Sequence, residues 1–504
     1  MPALADLVAR SLDGEHRERF DRRVREQAAA VRDAIERGAL DSPGYAVGLE
    51  LEVYAVDGDG RLATLPDGVY ERCNKELGCH NAELNLEPTP FDGPGLDALA
   101  DGVADAVAAA REAFADAGRA CVLDAMWTVP PAGGTEPYLS AVDTVDGMTV
   151  ATNMRASARY CALDNDVLAR RGGTVTLDLP GYTGAFPTIL PESLASSMQP
   201  HLQVPAADAF PRYYNAAIRT MAPVLALSTN SPFLPADLYP EGADPDRLLA
   251  ATAHELRVPV FEQSINAGDA KVSFPRDIES AADVVTRIEE DATRAPFLRE
   301  WVEDDEPAGF REDIWEFDHK RGTYWRWLRG IPGGQPVGGG TERSLRIEYR
   351  PLPTQPTVAD TVGLLALTVG LVRGLVAADH PLATLDWEAS RDSFYDVVER
   401  GLDADLAWVT AAGDRTSNPD VVFGEVFEYA RHGLEAAGLP EAAADEYLAP
   451  IEARWDARRT PSRWKLSRVR SSLDDGASLA DAIAAMQREY NDRSAAGTPF
   501  AAWD

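Results

Sequence analysis

The fold follows from one stretch, Val47-Gly48-Leu49-Glu50-Leu51-Glu52-Val53-Tyr54, in which apolar and acidic side chains alternate. Successive side chains of a β-strand point to opposite faces of its sheet. The stretch therefore predicts a strand that buries its leucines and presents Glu50 and Glu52 on the other face, roughly 6.5 Å apart. Two carboxylates at this spacing can each hold one cation of a pair roughly 4 Å apart. A solvent-exposed sheet face explains the same pattern when this strand is considered alone.

Three later segments repeat the design, and each places charged or imidazole groups on one face of a predicted strand. They are Ala82-Glu83-Leu84-Asn85-Leu86-Glu87-Pro88, Gln199-Pro200-His201-Leu202-Gln203-Val204 and Leu345-Arg346-Ile347-Glu348-Tyr349-Arg350. Carboxylates with one histidine are ligands that suit Mg²⁺ or Mn²⁺. Neighbouring arginines are the residues that bind phosphate and carboxylate groups. Four such strands together favour one cavity lined by ligand groups over four separate solvated faces.

The composition indicates a large protein with an acidic surface. The 504 residues are 45% hydrophobic, enough for a sizeable core and two or three domains. The net charge is −34, the acidic residues are dispersed, and only four of the 48 basic residues are lysines. This pattern resembles proteins of halophiles that accumulate salt. It argues against nucleic acids and anionic membranes as partners.

The charge leads to a prediction about salt. We expect the protein to lose structure or activity in dilute buffer and to regain it in concentrated KCl, because salt screens the repulsion between its carboxylates. Thermal melting in low and molar KCl measures this directly. A melting temperature that does not change between the two would contradict a halophilic protein.

Cysteine content and hydropathy indicate a cytoplasmic protein. The four cysteines are few for this length and are typical of reduced thiols. Charges throughout residues 1–40 argue against a signal peptide. The most apolar run, Val362 to Val372, is too short to span a bilayer and predicts a buried helix.

Periodicity and turn residues predict three segments: an N-terminal helical segment (1–40), a catalytic domain (41–380) and a helical C-terminal extension (381–504). A glycine-rich stretch, Gly333 to Gly340, precedes the Arg346 strand and predicts a loop that covers bound phosphates. Neither a P-loop pattern nor a Rossmann fingerprint occurs in the sequence.

The order of the motifs between residues 45 and 380 resembles the glutamate–cysteine ligase type 2 family of carboxylate–amine ligases. The motifs are Gly-x-Glu-x-Glu, Glu-Leu-Asn-Leu-Glu-Pro, His-Leu-Gln-Val, Ala-Leu-Ser-Thr-Asn-Ser-Pro-Phe, Gly-Thr-Tyr-Trp-Arg-Trp and Arg-Ile-Glu-Tyr-Arg. The resemblance implies an α+β fold like that of glutamine synthetase, a curved antiparallel sheet with flanking helices. It also implies ATP-dependent joining of an amino-acid carboxylate to an amine, classically glutamate to cysteine, with Mg²⁺ or Mn²⁺ and with oligomerisation possible.

The resemblance assigns roles to individual residues. It implies five metal ligands: Glu50, Glu52, Glu83, His201 and Glu348. Arg346 and Arg350 are implied to contact the transferring phosphate of ATP. Arg326 is implied to be a catalytic residue that holds a substrate carboxylate, with Arg159 as a second such residue.

Two features depart from the family pattern. Pro200 has no N–H, which predicts an edge or a bulge beside His201. Leu328 and Gly330 replace an expected Asn and Pro, so the substrate end of the site is predicted to differ from that of glutamate–cysteine ligases proper. Two other functions stay open from the sequence: a metal-dependent hydrolase that activates water with the same carboxylates, and a non-catalytic relative of the fold.

Overall fold

The computed structural model describes residues 2–302 and 309–504. Its strands are β1 (Ala46–Val56), β2 (Asn74–Lys75), β3 (Asn81–Pro90), β4 (Ala120–Val122), β5 (Val142–Val145), β6 (Met148–Ala151), β7 (Val175–Leu179), β8 (Tyr182–Phe186), β9 (Met198–Val204), β10 (Leu328–Pro332), β11 (Leu345–Tyr349), β12 (Trp408–Val409) and β13 (Arg415–Thr416). The first helices are α1 (Pro2–Leu12), α2 (Gly14–Glu36), α3 (Gly93–Asp116), α4 (Thr135–Ser140), α5 (Ala158–Arg171), α6 (Phe210–Ala226), α7 (Pro245–Ala251) and α8 (Arg257–Ile265). They are followed by α9 (Ala281–Glu290), α10 (Phe310–Asp313), α11 (Trp315–Arg321), α12 (Val358–Ala377), α13 (Trp387–Arg400), α14 (Pro419–Ala436), α15 (Glu441–Asp456), α16 (Pro461–Asp474) and α17 (Leu479–Ala496).

One antiparallel sheet organises the described part of the chain. Its strands lie in the order β10-β11-β9-β1-β3-β2, and β4 pairs with the end of β1. β1 is central because it pairs with both β3 and β9, and its leucines and Val53 are almost fully buried. The α+β class and the glutamine synthetase-like sheet predicted from the sequence are confirmed.

Pro200 lies at an irregularity in the sheet, as its missing N–H predicts. The pairing of β9 with β11 ends at His201 opposite Glu348. It resumes out of register where the Met198 N–H donates to the Leu352 carbonyl at 3.0 Å. The strand therefore tolerates a proline although it is central.

The apolar face of the sheet packs against helices α3, α6 and α12. α12 is the one helix of the described residues that is long and apolar enough to cross a membrane, and 83% of its apolar window is buried inside the protein. It packs closely on α14: a Cβ on Gly374 would lie 1.8 Å from the Tyr429 carbonyl oxygen, so only glycine fits. The buried helix predicted from the apolar run is thus observed.

Residues beyond 381 are mostly helical and contact the sheet domain through buried ion pairs. Lys465 on α16 donates to Asp124 at 2.6 Å, and Arg454 on α15 donates to Asp360 at 2.7 Å. All four side chains are fully buried or nearly so. The three-segment division of the chain stays a prediction.

Asp164 on α5 leads to a prediction about pH. Its buried carboxylate accepts hydrogen bonds from the Thr188 hydroxyl and the Ile189 N–H, and burial raises its pKa to about 7. The folded state therefore holds this proton more tightly than the unfolded state, and stability should fall as pH rises from about 4 to about 7. We expect Asp164→Asn to reduce this loss by on the order of 2 kcal/mol, measured by denaturant unfolding at pH 5 and pH 8. An identical pH dependence in wild type and variant would contradict it.

Candidate active site

The polar face of the sheet carries the predicted ligand groups in cross-strand register. Glu52 lies opposite Glu83 on β3, and Glu348 lies opposite His201 on β9. Residues directly opposite each other on antiparallel strands share a face. Since Gly48 lies opposite His201 and is two residues from Glu50, all five predicted metal ligands point to the same side of the sheet.

The tightest acidic cluster contains two of these residues and one that the sequence reasoning missed. Carboxylate oxygens of Glu52, Glu76 and Glu83 lie within 4.8 Å of one another. Burial, together with Glu52 and Glu192, raises the pKa of Glu76 to about 8. Burial and the neighbouring carboxylates also raise the pKa of Glu83 well above its ordinary value. Three carboxylates this close do not all ionise without a counter-charge, and their hard oxygens fit a divalent cation.

Glu76 follows the two-residue strand β2, outside the alternating segments. The chain returns it to the site beside β3, because Asn74 pairs with Glu83. The alternation of side chains along a strand could not predict Glu76, because a loop positions this residue. Glu76 lies seven residues before Glu83 in the sequence.

Glu50 and His201 form a second group beside this cluster. The His201 Nε2 atom lies 3.4 Å from Glu50 Oε1. Burial lowers the pKa of His201, which favours the neutral imidazole that coordinates metals. This Nε2 is buried and has no hydrogen-bond partner among the described residues, so it is available to bind a metal ion or another ligand.

Glu348 has a different environment from the other predicted ligands. It is 1% exposed and accepts hydrogen bonds from Arg329 Nε at 2.8 Å and from Arg350. Burial alone would raise its pKa, but Arg329 and Arg350 hold it well below the ordinary value. Glu348 is therefore a carboxylate already paired with two guanidinium groups.

Two connected chambers lie over this face. The large chamber has a volume of about 720 Å³ and the small chamber about 190 Å³. The residues that line both are Glu50, Glu83, Arg159, Gly322 and Arg329. Glu50 and Glu83 thus lie at the junction of a nucleotide-sized space and one about six water molecules in volume.

Arg346 faces the large chamber with a free guanidinium group. Its Nε atom is buried without a hydrogen-bond partner among the described residues. Burial, followed by the nearby Arg321, lowers its pKa, and a bound anion would supply this buried guanidinium group with a counter-charge. The predicted glycine loop lines the same chamber, and a Cβ on Gly334 would lie 2.7 Å from Arg346 Nη1.

Arg350 and Arg159 line the small chamber. Arg350 donates to the Gln199 side chain and to Glu348, so its charge is already shared within the protein. Arg159 Nη2 donates to the Gly322 carbonyl at 2.6 Å. Its other N–H groups make no hydrogen bonds to the rest of the described chain, which leaves Arg159 able to bind a carboxylate.

Arg326 lies elsewhere, which corrects the expectation that it holds a substrate carboxylate. Its guanidinium donates to Asp291 at 3.1 Å and to the Lys271 carbonyl, and it lines neither chamber. Trp325 and Trp327 line the small chamber instead, because alternation along this segment turns Arg326 to the opposite side. Arg329, which the sequence reasoning did not select, is the arginine of this region that lines both chambers.

Comparison with solved structures identifies relatives of the fold. A glutamate–cysteine ligase from Francisella tularensis, solved in complex with AMP, shares 13% sequence identity with a TM-score of 0.52, covering 90% of this chain and 89% of that one. A bifunctional glutathione synthetase from Pasteurella multocida shares 13% identity with a TM-score of 0.51, covering 93% of this chain and 55% of that one. The chain thus spans about half the length of the bifunctional protein. No curated protein matches the chain in sequence.

The family comparison covers most of the chain. The sequence profile described as glutamate-cysteine ligase family 2 matches residues 46–494. The match includes the strands that carry the acidic cluster and most of the predicted C-terminal extension. The chain therefore belongs to glutamate-cysteine ligase family 2 and is an ATP-dependent carboxylate–amine ligase.

Proposed function

We propose that the protein joins the side-chain carboxylate of glutamate to an amine and converts ATP to ADP and phosphate through an acyl phosphate. One observation carries this proposal: Glu83 of the acidic cluster lines both a nucleotide-sized chamber and the small chamber beside it. A phosphoryl group transferred between occupants of the two chambers would pass this junction.

The large chamber is the proposed ATP site. The free guanidinium of Arg346 and the loop from Gly333 to Val337 line one wall of it. Arg346 would stabilise negative charge on the transferring phosphoryl group, an interaction worth several kcal/mol when the donor is already in place. Arg350, held by Glu348, would act from the small chamber on the same group.

The proposed metal site consists of Glu52, Glu76 and Glu83, with Glu50 and His201 next to them. A divalent cation held there would neutralise phosphate charge and orient the γ-phosphate for in-line attack. Glu348, predicted as a ligand from the sequence, could join them only by sharing its carboxylate with Arg329 and Arg350.

The chemistry has two steps. A carboxylate oxygen of the donor attacks the γ-phosphorus, and ADP leaves with the electrons of the broken P–O bond. The amine then attacks the acyl carbon, phosphate leaves, and the nitrogen loses a proton. Arg159 would hold the second carboxylate of the donor, a role supported by its position in the lining of both chambers.

The test is ADP release with Mg²⁺ in concentrated KCl, scanned over amino-acid donors and amine acceptors, with mass spectrometry of the product. We expect ADP formation that requires both a donor and an acceptor. ATP hydrolysis that no acceptor stimulates would favour the metal-dependent hydrolase. Absence of nucleotide binding would favour a non-catalytic relative.

A further inference from the structure

The small chamber has an apolar wall opposite its carboxylates. The floor is the polar face of the sheet, with Glu52, Glu83 and Gln199. The other sides come from α5, α8, the turn Leu190–Leu194 and the Trp325–Trp327 segment. The apolar lining residues include Leu77, Leu163, Ile189, Phe261, Ile265 and Trp325.

Two aromatic rings define this wall. Phe261 and Trp325 pack edge to face, with centroids 6.3 Å apart at an interplanar angle of 61°. Both side chains are only half-buried, although Trp327 beside them is 1% exposed. Their uncovered surface therefore faces the chamber, where an apolar group of a ligand would remove it from water.

Two polar groups of the same chamber have no partner. The Glu192 carboxylate and the Tyr160 hydroxyl line the space and make no side-chain hydrogen bond to the described residues. Burial and the neighbouring Glu52 raise the pKa of Glu192 to about 8, and the Tyr160 hydroxyl is near Glu76 and Glu192. A carboxylate and a hydroxyl in this arrangement accept hydrogen bonds from an amine.

Provided that the proposed ligase function holds, we infer that the acceptor is a primary amine with an apolar side chain. Its nitrogen would lie against Glu192 and Tyr160, on the side of the chamber nearest the acidic cluster. Its side chain would pack on Phe261, Trp325 and Ile265. The wall formed by Phe261, Trp325 and Ile265 presents hydrocarbon surface, which an apolar side chain larger than that of cysteine would cover more fully.

The experiment compares acceptors against hydroxylamine, a small nucleophile that traps an acyl phosphate as a hydroxamate without needing a side-chain pocket. With ATP, Mg²⁺ and glutamate in molar KCl, we expect phenylalanine and leucine to exceed glycine, cysteine and lysine at least ~10-fold in kcat/KM, as a filled apolar pocket permits. Equal use of glycine or cysteine, alongside hydroxamate formation, would overturn this inference alone. No hydroxamate with any donor would overturn the proposed function and this inference with it.

Two variants locate the subsite. Trp325→Ala should lower the ratio of the phenylalanine rate to the hydroxylamine rate at least ~10-fold, and Trp325→Phe should restore most of it. Glu192→Gln should raise KM for the amino-acid acceptor by about 3-fold, because the amide offers one acceptor oxygen in place of the two oxygens of the carboxyl group. Neither the rate ratio nor KM depends on the fraction of folded enzyme, so a partly unfolded variant does not mimic the effect. A wild-type rate ratio in Trp325→Ala together with a wild-type KM in Glu192→Gln would contradict the assignment.

Discussion

Glu83→Gln is expected to reduce ADP formation by on the order of 10³-fold while leaving the metal-free protein at least as stable as wild type. Glu83 is one of three carboxylates within 4.8 Å, so its loss removes a proposed metal ligand. Burial and the neighbouring carboxylates raise its pKa well above the ordinary value, so the charged form is disfavoured without metal and a neutral glutamine removes that unfavourable charge. Activity with Mg²⁺ and melting in EDTA, both in molar KCl, measure the two effects.

The matched control is Glu87→Gln, four residues further along the same strand. Glu87 is exposed and lines neither chamber. We expect the activity of the Glu87→Gln variant to stay within ~2-fold of wild type, since isolated substitutions on the surface have small effects. Equal activity of Glu83→Gln and Glu87→Gln would show that the acidic cluster does not hold the catalytic metal.

Glu348→Gln is expected to abolish activity and also to destabilise the protein by about 3 kcal/mol. The substitution leaves Arg329 and Arg350 as buried guanidinium groups without their carboxylate, and breaking a buried pair from one side costs roughly 3–5 kcal/mol. From side-chain alternation alone, Glu348 is a metal ligand that faces a cavity, and Glu348→Gln would leave the melting temperature nearly unchanged. Because Glu348 is paired with Arg329 and Arg350, we expect a loss of stability instead.

A double variant separates the loss of activity from the loss of stability. Adding Arg329→Met to Glu348→Gln removes one of the uncompensated charges and should recover part of the stability without restoring activity. Denaturant unfolding in molar KCl gives the free energies. A Glu348→Gln protein as stable as wild type would show that the carboxylate does not balance the two arginines.

The sheet and the direction of its side chains could be predicted because alternation is a local property. Once β1 is a strand, Glu50 and Glu52 lie on the same face of it, independently of the other segments of the chain. The apolar run from Val362 to Val372, predicted to form a buried helix, lies inside α12. Its hydrophobicity is likewise a property of the segment itself.

The remainder of the site depends on contacts between distant segments. Glu76 and Glu192 come from a loop and a short turn, where no periodicity marks a side chain that faces a cavity. The family resemblance assigns Arg326 to the substrate, but the direction of its side chain depends on the ion pair with Asp291. The extent of β4 also depends on a distant segment, since its residues Ala120–Val122 are the ones that pair with β1.

Transfer of oxygen from the donor to phosphate tests the central claim most directly. Glutamate labelled with ¹⁸O in its side-chain carboxylate is incubated with ATP, Mg²⁺ and hydroxylamine in molar KCl, and the phosphate is analysed by mass spectrometry. An acyl phosphate intermediate predicts ADP together with phosphate that carries one ¹⁸O atom per turnover. Unlabelled phosphate, or AMP in place of ADP, would contradict it.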